Sequence, residues 1–351
     1  MREQVDMRQE GFLPWHEELA SRWLGERDRF AHAWLVHGAA GIGKVRFAKA
    51  ASASLLCETP VRHLACGTCQ ACQWLKHGNH PDFRVLRPDA VALAEGEGAD
   101  DDAPAPDKGK KAPSREIRVD HVRALESWLN VATHRGGARV VLLYPAESLN
   151  GVSANAMLKI LEEPPPGTVF LLVADKLDRL LPTLVSRCRR LPLAAPGAEE
   201  ARRWLDACGV ADAAEYLAAA GGTPLTALRM SQAGEAACPA WLRQFAQALV
   251  ERRSQAHIPR LVDELEKMPA GAWIDALQRL FADLMLVHST GAVRYYPSLA
   301  AALAALAQRL PAVTVAEAAR WLSTQRDVAA HPLNPRLFIH SVLLRLAAIE
   351  S

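Results

Sequence analysis

The stretch "AWLVHGAAGIGKVRFAKA" (residues 33–50) constrains this chain more than any other. A short apolar run ends in a Gly-rich turn that feeds a long helical pattern. Gly38, Gly43 and Lys44 stand at the GxxxxGK spacing of a phosphate loop, with Gly41 inside it. That spacing has a chemical reason. Glycines let backbone N–H groups curl around phosphate oxygens, the lysine sets its ammonium beside them, and the helix N-terminus adds a favourable dipole. It also makes a demand on the fold, because a strand must precede the loop and a helix must follow it.

Further apolar strand candidates are "DFRVLRP" (82–88), "ARVVLLYP" (138–145) and "TVFLLVAD" (168–175), with helical patterns between them at 119–131 and 153–163. Apolar strands separated by helices of this length predict an α/β domain built on a parallel sheet covered on both faces. After "CRRLPLAAPGAEEARRWL" the strand patterns stop. Residues 197–230 carry three short helical patterns punctuated by Gly and Pro, the size of a small helical domain. From residue 239 onward five or six longer segments follow, with apolar residues at three- and four-residue intervals, as a packed helical bundle requires. These changes of pattern give an α/β domain, a small helical domain and a helical C-terminal domain. Between about residues 95 and 115 the chain is Gly, Pro, Ala, Asp and Lys with almost no bulky apolar side chain, which predicts a mobile surface loop.

The phosphate loop lacks its usual companions. Val45 stands where a nucleotide hydrolase has the Ser or Thr hydroxyl that holds magnesium. The strand "RVVLLYPAESLN" ends in Tyr144 and Pro145, where acidic residues would hold the metal and position water. Glu147 is close in sequence but lies beyond a proline turn, so its carboxylate is not expected to emerge from the strand end. The pattern therefore favours a scaffold, or at most a nucleotide-binding loop, over an active hydrolase. The competing reading is an autonomous ATPase that draws magnesium ligands from unusual positions.

"CETPVRHLACGTCQAC" places Cys57, Cys66, Cys69 and Cys72 at the spacing C-x8-C-x2-C-x2-C. The last three thiols can converge through tight turns, and Cys57, at the end of the helix leaving the phosphate loop, completes a tetrahedral set. Four thiolates leave no vacant position for substrate, which points to a structural zinc module at 57–72; iron–sulfur and reactive thiols are the alternatives. His63, His77 and His80 lie nearby, but four cysteines already fill the coordination number, and these histidines read as surface or supporting residues. Cys188, Cys208 and Cys238 read as ordinary partly buried cysteines.

Composition excludes more than it selects. An apolar fraction of 50% with 23% charged residues suits a globular chain rather than a disordered one, and a formal charge of +2 names no partner by itself. No run approaches 18 apolar residues, and "MREQVDMRQEGFLPWHEELA" has no apolar core of signal-peptide length, so the expectation is a cytoplasmic chain with no membrane partner. "KGKK" (108–111) is diluted by Asp100, Asp101, Asp102 and Asp107, and reads as a solvated linker.

The segment "SANAMLKILEEPPPGTVFLLVADKLDRLLPTLVSRCRRLPL", taken with the four-cysteine insert, resembles the delta prime subunit family of bacterial DNA polymerase III clamp loaders, within the AAA+ superfamily. The likeness extends from about residue 12 to the C-terminus, including "NPRLFIHSVLLRL". It implies an AAA+ phosphate-loop domain with a zinc insert at 1–194, a small helical lid at 195–237 and an all-α C-terminal domain at 238–351 contributing to a pentameric collar. It implies a rigid, non-motor subunit working with gamma/tau and delta, a transient complex with the beta sliding clamp, and primer–template DNA held without sequence specificity. Zn2+ would be structural, and ATP with magnesium would be bound mainly by the neighbouring gamma/tau subunits. The chain would then be a component of the DNA-directed DNA polymerase holoenzyme without independent ATPase activity. Leu225, in "GGTPLTAL", departs from the phosphate-sensing arginine of the motor siblings. The resemblance also implies that Arg187, in the "SRC" triplet, is a trans arginine finger aimed at the nucleotide of a neighbouring subunit, with Ser186 and Cys188 positioning it; read from the residues alone, it is a surface or salt-bridge arginine. A gamma/tau-like active motor is the alternative.

Overall fold

The computed structural model describes residues 11–26, 30–96, 112–131, 133, 137–329, 331 and 334–350. Most of the charged loop, including the KGKK segment and the aspartates around it, lies outside the described residues. The chain divides into two compact units, Met1–Pro196 and Gly197–Ser351.

The first unit is built on five parallel strands in the order β2-β3-β4-β1-β5. These are β1 (Ala33–His37), β2 (Phe83–Leu86), β3 (Arg139–Leu143), β4 (Thr168–Ala174) and β5 (Arg189–Pro192). The central strands read as continuous apolar runs because both faces are covered. Val140, Leu142, Leu171 and Val36 join one buried cluster with helix α2 (Lys44–Leu56), whereas Val141, Leu143, Phe170, Leu172 and Leu35 join another on the opposite face. Pleating sends alternate side chains to opposite layers. Helix α1 (Pro14–Gly25) packs on α2, while α5 (Val119–Leu129) and α6 (Gly151–Glu162) pack together on the far face.

Besides α1, three elements of this unit were not evident from pattern. β5 buries only Leu191 of its four residues, so its polar sequence hides an edge strand; Arg189 lies over the Trp34 ring, 5.1 Å from its centroid. Helix α3 (Gln70–Lys76) lies within the cysteine insert, and α4 (Asp89–Ala94) precedes the charged loop. Each has seven residues or fewer, too short to display a helical period. A further short helix, α7 (Pro182–Arg187), occupies the expected LLPTLVSRC segment.

The second unit is helical. α8 (Ala198–Ala207), α9 (Ala213–Ala219) and α10 (Pro224–Gln232) share one buried cluster around Leu205, Leu217 and Leu228. Helices α11 (Ala240–Glu251), α12 (Ser254–Leu265), α13 (Ala270–Thr290), α14 (Ala300–Arg309), α15 (Ala312–Val328) and α16 (Pro335–Ala347) enclose a larger one that includes Trp241, Phe245, Trp273, Phe281 and Leu343. Among the described residues no single helix is long and apolar enough to cross a membrane.

Candidate functional site

The phosphate loop joins β1 to α2 and has the backbone that the glycine spacing requires. Gly41 and Gly43 adopt φ of 79° and 98°, the left-handed region that favours glycine, and Gly43 directly precedes α2. A Cβ at Gly38 would stand 2.4 Å from the carbonyl oxygen of Leu193, so only glycine fits there. Trp15 of α1 donates its indole N–H to the Ile42 carbonyl at 3.1 Å, holding the loop from outside.

Lys44 is buried at the first position of α2, and its ammonium is already engaged. Nζ donates to the Ala39 carbonyl at 2.6 Å and pairs with Asp175 Oδ1 at 2.6 Å. Asp175 follows the last residue of β4, and because β4 lies beside β1 in the sheet, its carboxylate reaches the loop. No motif in the sequence marks this residue; the signal was only that an acid ends the strand "TVFLLVAD". Val45 packs against the apolar cluster on the α2 face rather than offering any polar group. Burial first, then the charges of Arg190 and Lys44, lowers the pKa of His37, so this histidine adds no positive charge to the loop at neutral pH.

At the end of β3, Tyr144 is buried and donates its hydroxyl to Glu95 Oε2 at 2.7 Å, while Arg87 Nη1 donates to that hydroxyl at 2.9 Å. Arg87 Nη1 also donates to Glu95 at 2.6 Å, and Lys49 approaches the same carboxylate at 3.0 Å. Burial, reinforced by the Glu95 charge, raises the Tyr144 pKa and keeps the phenol neutral. The position of an acidic metal ligand thus holds a neutral side chain committed to a structural network. Glu95 corrects the expected start of the mobile loop: it terminates α4 and anchors this network, and only residues beyond Gly96 leave the described structure.

Glu147 needs a second correction. The proline turn does not carry it away from the strand ends. It sits in a short 3-10 turn, and its Oε1 accepts the backbone N–H groups of Asp175 at 2.5 Å and Lys176 at 2.6 Å. Its carboxylate therefore serves as a cap on the chain leaving β4.

Arg187 ends α7 with its side chain about one-third exposed. Its Nη1 donates to the Thr183 carbonyl at 2.9 Å, and its Nη2 forms a very short ion pair with Glu162, the last residue of α6. These two groups orient the arginine. Ser186 instead donates to the same Thr183 carbonyl at 2.9 Å, and Cys188 faces the buried cluster beneath α5 and α6, where burial pushes its thiol up to about 12. The expectation that Ser186 and Cys188 position Arg187 is replaced by Glu162 and Thr183. Leu225 lies half-buried in the first turn of α10, in the second unit.

The cysteines converge. Cys57 closes the C-terminus of α2, Cys69 precedes α3, and Cys72 lies within it. All four sulfurs lie within 4.8 Å of one another, with Cys57–Cys69 at 3.8 Å and Cys66–Cys72 at 4.0 Å. A single tetrahedral ion with metal–sulfur bonds of ~2.3 Å holds its sulfurs ~3.8 Å apart, so the four residues fit one zinc-sized ion. An iron–sulfur cluster, which places several atoms between its thiolates, would spread them further. The module is tied to α2 by Ser54, whose buried hydroxyl donates to Ala50 and accepts the N–H of Ala65. The Thr59 hydroxyl and then the N–H groups of Thr68 and Cys69 point at the Cys66 sulfur and lower its pKa to about 5, favouring the thiolate that a metal binds. His80 is not a surface residue: it is buried, and its Nδ1 accepts the Asp82 N–H at 3.1 Å.

The profile of the family described as DNA polymerase III, delta subunit, matches residues 19–196. The chain is similar to DNA polymerase III subunit delta' of Pseudomonas aeruginosa, 42% identical over 225 residues that cover 63% of this chain and 62% of that protein. It is 32% identical to subunit delta' of Haemophilus influenzae over 247 residues, covering 69% and 68%. DNA polymerase III subunit tau of Escherichia coli is 30% identical over 178 residues, covering 51% of this chain and 24% of that one. The match thus spans less than two thirds of the Pseudomonas relative and about a quarter of the tau subunit.

Proposed function

The chain belongs to the delta prime family of DNA polymerase III subunits, and from that membership we propose that it is the non-motor subunit of a clamp loader, assembled with gamma/tau and delta in the cytoplasm. In this role it helps ATP-driven loading of the beta sliding clamp onto primer–template DNA, which it meets through phosphate contacts rather than base readout.

The observation that carries the reading is the contrast between two cations. Both are paired within the chain, but Lys44, at the end of the phosphate loop, is buried, whereas Arg187 lies at a partly exposed helix end. The loop has no hydroxyl at Val45 and no acid at Tyr144, so this subunit contributes no hydrolytic site of its own. Arg187 is the trans arginine finger, supplying positive charge to phosphoryl transfer on a neighbouring gamma/tau subunit, a contribution worth about 10³ to 10⁵ in rate. To act there it must leave Glu162. The four cysteines hold a structural Zn2+ that pins their insert to α2 and performs no chemistry.

Two distinct buried clusters in the second unit support its division into a lid at 195–237 and a collar domain at 238–351, beside an AAA+ domain at 1–194. The test of the whole reading is reconstitution with gamma/tau and delta. Arg187→Ala should leave assembly intact and lower DNA- and clamp-stimulated ATP turnover; unchanged turnover would sink the finger assignment.

A further inference from the structure

We propose that Asp175 is the residue that closes this phosphate loop to nucleotide, its carboxylate standing on Lys44 where a phosphate oxygen would otherwise sit. The inference concerns the chain's own loop and does not depend on the role given to Arg187.

The loop itself is intact. Its glycines have the required backbone, and α2 presents its N-terminus beneath them. What differs is the lysine. Its side chain is only 3% exposed, with one donor turned back to the Ala39 carbonyl and another held by Asp175 at 2.6 Å. With two of its three N–H donors engaged and its side chain buried, the ammonium can meet an incoming phosphate fully only once the carboxylate moves away. Asp175 is also fixed from behind, because Glu147 accepts its backbone N–H at 2.5 Å and that of Lys176 at 2.6 Å. The parallel register pairs His37 with Ala174, which places the residue after β4 beside the loop that leaves β1.

Charge adds to the block. A nucleoside triphosphate entering the loop meets a carboxylate of its own sign, and neither Val45 nor Tyr144 supplies a ligand for magnesium to offset the repulsion. Asp175 is half exposed but Lys44 is buried, so removing the carboxylate leaves the ammonium with the Ala39 carbonyl as its remaining partner, and Asp175→Asn, which keeps a side-chain oxygen there, is the milder change. The site is therefore a latent polyphosphate site held shut by one side chain.

The experiment is calorimetric titration of the full chain with ATP, with and without magnesium, for wild type, Asp175→Asn, Asp175→Ala and the double variant Asp175→Asn/Lys44→Ala. Both single variants should bind ATP at least tenfold more tightly than wild type, and the double variant should return to the wild-type level. Thermal melts showing an unchanged Tm for Asp175→Asn establish that the fold is kept. Equal affinity of wild type and both single variants, whether all bind or none does, overturns the proposal. So does tight binding that survives loss of Lys44. No partner subunit is present, so failure here is distinct from failure of the arginine-finger assignment.

Discussion

The sulfurs of Cys57 and Cys69 lie 3.8 Å apart although the two residues are twelve positions apart in the chain, and neither is joined to the other by a disulfide. Four sulfurs this close match the spacing around one tetrahedral ion, which would offset the mutual repulsion of the thiolates it binds. Purified protein should contain one equivalent of zinc and no iron by elemental analysis. Cys69→Ser should lose that equivalent, and chelation should lower the Tm by more than ~5 °C. A metal-free chain with an unchanged Tm after chelation would refute the assignment.

His16 should make stability fall in acid. Its ring is buried against Phe47, and among the described residues neither ring nitrogen has a hydrogen-bond partner. Burial first, then the charges of Arg46 and Lys44, lowers its pKa from 6.5 to about 4. The unfolded chain therefore binds the proton that the folded chain refuses. The contribution is fully present above pH 6.5 and is lost as the pH falls towards 4, to a limit of about 3 kcal/mol. Urea unfolding at pH 7 and pH 4.5 should show a smaller fall for His16→Phe than for wild type; equal falls would remove His16 as the cause.

Asp283 should be among the most sensitive polar positions in the helical unit. It is fully buried in α13 and accepts backbone N–H groups from Arg294, Tyr295 and Tyr296 at 2.8 to 3.0 Å. Asp283→Ala leaves these donors without their charged acceptor and should cost about 3 kcal/mol or more. Asp283→Asn keeps one acceptor oxygen and should cost less. The urea midpoints of the two variants check the order, and a neutral alanine variant would show that the turn does not depend on the carboxylate.

Features carried by short spacing are legible in the sequence itself. The run 33–50 determined a strand, a phosphate loop and a helix because each glycine acts through its own backbone dihedrals. The cysteine spacing determined which four residues meet, since tight turns and one helix end suffice to gather them. The apolar runs determined a parallel sheet, because strands buried on both faces cannot alternate with polar residues. β5 escaped notice for the converse reason: an edge strand with two arginines has little apolar signal to offer.

The functional geometry was decided elsewhere. Lys44 meets Asp175 because β1 and β4 are neighbours in a sheet whose order differs from the order along the chain. Glu147 caps that same strand end, Glu95 reaches Tyr144 across 49 positions, and Glu162 takes Arg187 from another helix. Sequence alone determined the existence of a phosphate loop, a four-thiol cluster and an α/β domain, all products of local backbone and side-chain periodicity. Only the tertiary structure decided which charges face one another, because a parallel sheet brings distant strand ends together at one edge, and there an acid unmarked by any motif can occupy the lysine that a nucleotide would need.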